Sequence, residues 1–563
     1  MSGGRRTVRS TLGGLGRAAR SEPALFGYAA VFLYALGIGW GLPHATGPER
    51  MFPWGPDELA PLRSLGELYR LFGPADAAFA PQYPMMQYFV QALFAAPYAA
   101  WLLLTGGLEG LAGTYPFGLA DPAGSLAVFT VLARIPTVLM GGGTVAAAWW
   151  TADRLWGRRA ARFAALAVLL SLPMFYYGRT SNVDVPALFW LACGTAAFAA
   201  ALRDGLTVRR GALLGLFAAL SVATKDAGYA YFAGVAVAVL GLQALAVRRG
   251  DAAVREAAVP LLAGAGAAAA VYAVASGLVF SIDRFIAHVG FLIHGTPLPE
   301  GVEHPYYYTG EASLRGYLAL AGTTARHVVD SLGLPLAIAA LGGVFLTMRE
   351  NPRLAWLLLP PVTVFLGTIV PVRFVLIRFV LPIAYVFALF AGAALAALVH
   401  RLREGVWARR AAGLAVLVCL GWAGARAADL TVQMWTDSRY ALGDWLARTL
   451  DAGDEVGYYG SSVKLPHLPA VVEIGAMPGQ ILPPDPGQSV ARDPDVVLVI
   501  PQQDNEPVHE WTLRTEDFDR LVEGTAGYRQ AYRDPGGGLL TGRIIPFVNP
   551  PVRAFVPVTD SGR

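Results

Sequence analysis

The chain has 563 residues, 55% of them hydrophobic and 15% charged, and a mean hydropathy of +0.47. Soluble domains carry roughly 25% charge, so this deficit excludes a string of soluble domains, and the recurring apolar runs exclude disordered, collagen-like and coiled-coil classes. The net charge of +4 hides a division: from residue 429 onward 19 acids face 11 bases, and the remainder is basic in a way that suits loops beside anionic lipid.

No basic patch is interleaved with aromatics, so a nucleic-acid partner is not expected. Cys193 and Cys419 both lie inside apolar runs, which argues against a disulfide framework and against a cysteine metal site.

In chain order, residues 1–22 carry five arginines ahead of an apolar run over 23–43. The run is long and no small-x-small cleavage site follows it, so it reads as a first spanning helix with a cytoplasmic N-terminus. Further spans are expected near 126–151, 160–177, 184–202, 211–224, 228–247, 257–280, 332–348, 354–371, 379–399 and 410–428. The span at 211–224 is short of the ~20 residues needed and should extend at one end. Arginine clusters at 154–162, 203–210, 248–255, 349–353 and 401–410 fall after every second span, as the positive-inside rule requires. The resulting expectation is eleven helices in the cell's inner membrane, with the C-terminus outside. The stretch 83–105, broken by Pro84 and Pro97 and rich in Tyr and Trp, is expected to be a juxtamembrane helix on the outer face, with a further span as the open alternative. The polar tail predicts an amphipathic helix over 437–450, strands at 455–459 and 496–500, and a helix over 515–523.

The expected domains are thus a cytoplasmic segment 1–22, a transmembrane domain 23–428 and a small extracytoplasmic α/β domain 429–563. No solenoid or transporter repeat is evident.

This topology gathers polar groups on the outer side. Asp57 and Glu58 follow a Gly-Pro turn where partial desolvation can make a carboxylate a better base, although Asp57 could equally cap a helix. Asp184 sits two residues before Pro186, a favoured place for a helix-capping Asp and a rare one for an acid at membrane depth. Lys225 is one of two lysines against 42 arginines; it suits a phosphate oxygen, or a hairpin ion pair with Asp226. Arg373 and Arg378 run against the positive-inside trend and call for an anion, with snorkelling as the alternative. The long loop 281–331 holds His288, His294, His304 and Tyr306, either a substrate-gating loop or, for the tyrosines, interface anchors. His288 and His294 are not at a tight ligand spacing and no HExxH or CxxC pattern appears, which argues against a zinc site. Acids beside cations on one face fit a reaction whose leaving group is a lipid phosphate.

The ordered set resembles the GT-C membrane glycosyltransferases, in particular the bacterial branch related to protein mannosyltransferases and aminoarabinose transferases, family 39-like. The residues that carry the resemblance are Asp57-Glu58, Gln82-Tyr-Pro84, Arg134, Asp184 with Pro186, Thr224-Lys225, Arg378-Phe-Val-Leu-Pro382 and the tail segment Asp437-Ser-Arg439-Tyr. Leu59-Ala-Pro61 stands where the family usually has a nearby Tyr, and Gln82 opens a motif that usually begins with His or Tyr.

The resemblance implies an all-α polytopic catalytic domain and an inverting transfer of a sugar from a polyprenyl-phosphate donor to a lipid, glycan or protein acceptor at the outer face. It implies Asp57 as general base with Glu58 supporting, Asp184 near the acceptor or a metal, and Lys225 and Arg378, joined by Arg373, at the donor phosphate. It names no certain cofactor and leaves room for a divalent metal. The competing expectation is a transporter or lipid flippase using the same charges along a pathway.

Overall fold

The computed structural model describes the chain apart from residues 1–20, 45–46, 48–50, 56–57, 73–81, 111, 113, 295–307, 309, 402–404, 461, 470–471, 479–488, 501–512 and 559–563. The chain divides into two compact units, one formed by Met1–Ala35, Ser64–Ala92 and Pro136–Ala427, the other by Leu36–Arg63, Leu93–Ile135 and Ala428–Arg563.

The helices in chain order are α1 Glu22–Ala35, α2 Arg63–Phe72, α3 Met86–Thr105, α4 Pro122–Trp156, α5 Arg158–Leu169, α6 Leu172–Tyr177, α7 Asp184–Asp204, α8 Val208–Thr224, α9 Gly228–Arg249, α10 Val254–Ala275, α11 Ile282–His294, α12 Leu314–Leu332 and α13 Leu334–Glu350. A composite helical stretch Pro352–Val372 follows, then α14 Leu381–Arg401, α15 Val406–Trp435, α16 Ser438–Thr449 and α17 Thr515–Val522. Among the described residues eight helical segments are long and apolar enough to cross a membrane, or nine if α12 and α13, bent by 110°, form one broken span.

Eleven spans were expected, and the differences have local causes. The first run yields only the 14 residues of α1. At about 1.5 Å per residue α1 reaches some 21 Å, short of a hydrocarbon core of roughly 30 Å. The run at 160–177 breaks after Leu169, because Pro173 near the start of α6 has no N–H to carry the ladder on. The stretch 83–105 forms α3, a continuous 20-residue helix that is long and apolar enough to cross a membrane despite Pro97 inside it. The segment 281–331, read as one loop, contains two helices, α11 and α12. As expected, α8 extends its short run, starting at Val208, where the Thr207 side chain accepts from the Arg210 N–H.

Helices in lipid gain little from hydrophobic sorting, so close backbone approach matters. The Gly211-x-x-x-Gly215 face of α8 packs on α10 so tightly that a Cβ at Gly215 would lie 1.9 Å from the Gly264 carbonyl oxygen, and one at Gly211 would lie 2.1 Å from that of Pro260. In the same unit, Glu22 at the head of α1 pairs with Arg158 at 2.9 Å and Arg162 at 2.6 Å on α5, so part of this arginine cluster serves to dock a helix end.

In the second unit the tail forms a five-stranded sheet from β1 Glu455–Tyr459, β2 Glu473–Ala476, β3 Val496–Val499, β4 Tyr528–Asp534 and β5 Val552–Pro557, ordered β2-β1-β3-β5-β4. β1 runs parallel to β2 and β3, and β5 antiparallel to β3 and β4. The continuous apolar run Val496–Val499 is buried throughout because both faces of the sheet are covered. Leu442, Leu446 and Leu450, four residues apart along α16 and its end, pack with Val456, Leu498 and Ala554 on one face. Phe518 and Leu521 of α17 cover Val497, Val499 and Phe555 on the other. The expected helices and both expected strands of this α/β region are present within a residue or two.

Candidate functional site

In the first unit, α7 begins at Asp184. The Asn182 side chain accepts from the Asp184 N–H at 2.8 Å and from the Val185 N–H at 3.3 Å, so Asn182 performs the capping that sequence alone allowed for Asp184. Asn182 is held in turn by donating to Thr180 Oγ1 and the Tyr177 carbonyl, both at 2.7 Å. The Asp184 carboxylate is thereby released from the backbone while still sitting at the positive end of a helix dipole.

Its partner is Lys225, whose Nζ donates to Asp184 Oδ1 at 2.5 Å. Lys225 closes α8 in an extended conformation, with its N–H on the Ser221 carbonyl, and three residues later α9 begins at Gly228. The tight hairpin aims neighbouring side chains at different targets. Lys225 reaches Asp184, whereas Asp226 Oδ1 meets His288 Nε2 of α11 at 3.1 Å. A Lys225–Asp226 pair, the alternative reading of the hairpin, is not what the two residues make.

Lys225 Nζ also lies over the Phe379 ring at 5.6 Å from its centroid, and the guanidinium carbon of Arg378 stands at 5.6 Å from the same centroid. The two cations are therefore no farther apart than the sum of those distances. A cation over an aromatic face gains about 0.5–2 kcal/mol. The local sequence explains the placement: the composite helix loosens through a π-turn at Phe365–Ile369 and ends at Arg373, which adopts φ 50°. The chain then runs extended into one 3-10 turn, Ile377–Val380, carrying Arg378 and Phe379 immediately before α14. Pro382, second in α14, needs no N–H partner there.

Arg373 goes elsewhere, lying 5.6 Å over the ring of Tyr308, whose N–H donates to the Val372 carbonyl at 2.8 Å. The structure thus brings together Asp184, Lys225, Arg378 and, through the hairpin, Asp226 and His288. It does not join Arg373 to them by a described contact. His294 is at the exposed end of α11, while His288 is buried on the same helix. Asp57, His304 and Tyr306 lie outside the described residues.

Sequence reasoning missed two participants: Phe379 stands only as part of an apolar motif, and Asp226 only as a possible partner of its neighbour. It also missed Glu67 on α2, fully buried and paired with Arg284 of α11. Its signal was present: Ser64, Glu67 and Leu71, the buried positions of α2, are spaced three and four apart, so a carboxylate sits on the inward stripe.

In the second unit Glu58 forms a bidentate pair with Arg134, Nε to Oε2 at 2.9 Å and Nη2 to Oε1 at 2.7 Å, with both side chains buried. Arg134 Nη1 donates to the carbonyls of Ile38 and Trp40, each at 2.7 Å. Four residues before Glu58, Trp54 Nε1 donates to the Leu465 carbonyl at 2.8 Å, and its ring carries the Arg439 guanidinium at 4.0 Å. Asp437 accepts from both Arg439 Nε and Nη2 at 2.8 Å and from Trp40 Nε1 at 3.0 Å, so the Asp437-Ser-Arg439 segment is a lock on residues 40–54.

Beside it the ring of His467 stacks on His44 at 4.8 Å. Burial, and then the His44 ring, push the His467 imidazole below its usual range. Among the described residues no three His, Cys, Asp or Glu side chains gather as a metal-ligand set.

No protein-family model matches the chain, and no curated protein matches it. Among solved structures it is similar to ArnT from Cupriavidus metallidurans in the apo state, at 14% identity, covering 94% of this chain and 97% of that one, with a TM-score of 0.49. The same protein bound to undecaprenyl phosphate aligns at 13% identity over 96% and 99% of the two chains, with a TM-score of 0.46. The archaeal oligosaccharyltransferase AglB from Archaeoglobus fulgidus, in complex with an inhibitory peptide and a dolichol-phosphate, aligns at 14% identity over 77% of this chain and 62% of that one, with a TM-score of 0.47.

Proposed function

We propose that the protein is an integral membrane glycosyltransferase that moves a sugar from a polyprenyl-phosphate-linked donor to an acceptor at the outer face of the cytoplasmic membrane, with inversion. The observation that carries this reading is the pairing of Lys225 and Arg378 on one ring, with Lys225 held by Asp184. Two cations held at the same ring offer a phosphate two sets of donors, and a carboxylate that fixes the lysine keeps it oriented before the anion arrives.

In the proposed reaction the acceptor hydroxyl gives its proton to the Asp57 carboxylate as its oxygen bonds to the anomeric carbon. The bond from that carbon to the phosphate oxygen breaks, and its electron pair leaves with the polyprenyl phosphate, whose growing charge Lys225 and Arg378 stabilise. General-base assistance contributes about 10²–10⁴-fold. Glu58, with both oxygens engaged by Arg134, serves as an anchor for the segment that contains Asp57.

The test compares the wild-type chain with Asp57→Asn in membranes supplied with a panel of polyprenyl-phosphate-linked hexoses and pentoses. Transfer by the wild type to a lipid, glycan or protein acceptor, and its loss by at least about 100-fold in the variant, is the expected result. Normal transfer by a stably inserted Asp57→Asn chain overturns the base assignment.

A further inference from the structure

A cavity of the first unit lies away from Lys225 and Arg378, at the helix ends that carry the arginine clusters. It holds about 960 Å³ and is bounded by the C-terminal ends of α4, α7, α13 and α14, the start of α5 and the turn after Asn351. Its composition is divided. Trp156, Leu202, Leu354 and three alanines of α14, Ala393, Ala396 and Ala397, supply apolar lining, while Arg159, Arg203, Arg353 and Arg401 supply cationic lining.

Glu350 is the sole acid among the lining residues, and it is taken by Arg401 at 2.7 Å. Arg203 donates to the Arg154 carbonyl. Arg159 and Arg353 are exposed, and among the described residues neither has a hydrogen-bond or ion-pair partner. Among the described lining residues, four guanidiniums face one carboxylate over an apolar floor, a surplus of positive charge.

From this charge complementarity we infer that the crevice binds an anionic phospholipid, its phosphate between Arg159 and Arg353 and its acyl chains against the alanine face of α14. Basic pockets between helices on the cytoplasmic side suit such headgroups, and the arginine bias assigns these helix ends to that side. A soluble phosphate compound would use the arginines but leave the apolar floor idle. This inference concerns a lipid that is not consumed and stands apart from the proposed sugar transfer.

The experiment titrates the full chain, purified in a non-ionic detergent, with dioleoyl phosphatidylglycerol and counts retained lipid by native mass spectrometry. Phosphatidylcholine and glycerol phosphate are titrated in parallel. One phosphatidylglycerol should be retained saturably, well ahead of either control. Each arginine contributes about five-fold near an anionic headgroup, so Arg159→Gln with Arg353→Gln should weaken retention roughly 25-fold. Ala396→Trp leaves every charge in place and obstructs the floor, and it should also reduce retention of phosphatidylglycerol. Wild-type affinity in either variant overturns the site, and glycerol phosphate binding as tightly as the lipid overturns the lipid assignment in favour of a free phosphate compound.

Discussion

Lys225 Nζ lies 2.5 Å from Asp184 Oδ1, joining the hairpin after α8 to the first turn of α7. The pair is only partly closed off, with the lysine side chain 20% exposed. Losing one preorganised charge at such a site costs about 10²–10³-fold. Lys225→Ala should therefore raise the donor concentration needed for transfer more than the acceptor concentration. Initial rates against each substrate in turn check this, and an unchanged donor dependence speaks against a phosphate role for Lys225.

Glu58 and Arg134 are an ion pair with almost no solvent access. Removing one partner of a buried pair leaves the other charge stranded, at about 3–5 kcal/mol, while replacing both by apolar groups is often neutral. Arg134→Met alone should cut the yield of folded protein and its thermal midpoint, and Glu58→Leu with Arg134→Met should recover much of both. Equal losses in the single and double variants would show that the pair is not what holds residues 38–58.

The small-residue crossing of α8 and α10 gives a contrast inside one helix pair. A side chain at Gly215 meets the Gly264 carbonyl, whereas Gly266 has open space around it. Gly215→Val should lower stability by about 1–3 kcal/mol or more, in line with overpacking elsewhere. Gly266→Ala should be tolerated. Thermal melts of the two variants in the same detergent decide the matter.

The pH response of the tail follows from His467. Its folded pKa is below the value near 6.5 of an unfolded chain, so between the two the unfolded state binds more protons and stability rises with pH. The contribution is whole above about 6.5 and is lost as the pH falls through the window below it. Hydrogen-exchange protection over 438–468, taken relative to the intrinsic exchange rate at each pH, should fall on acidification from pH 7, and His467→Phe should flatten that response. A variant as acid-sensitive as the wild type would move the cause to another group.

Much of the fold was legible because its signals are local. The apolar runs of α4, α7, α9, α10, α14 and α15 need nothing but lipid, and the strand Val496–Val499 announces itself by four consecutive β-branched or aliphatic residues. The misreadings involve competition between local and distant effects. Prolines at 84 and 97 suggested an interruption of the run 83–105, yet Pro84 precedes α3 and Pro97 is accommodated within it. At the site, residue type and spacing singled out Asp184, Lys225 and Arg378, since each is unusual for its place. The ring between the two cations was hidden because Phe379 looks like any other apolar residue until three-dimensional packing brings it to Lys225. Position and chemistry of single residues can be read from a sequence; pairings across 41 or more positions cannot.

The most direct measurement follows a radiolabelled polyprenyl-phosphate sugar in vesicles containing the purified chain. Sugar transfer predicts protein-dependent release of free polyprenyl phosphate together with label in a new glycosidic product, both diminished by Lys225→Ala. Label that crosses the bilayer still joined to its lipid, with no polyprenyl phosphate released, would contradict the account and identify a flippase.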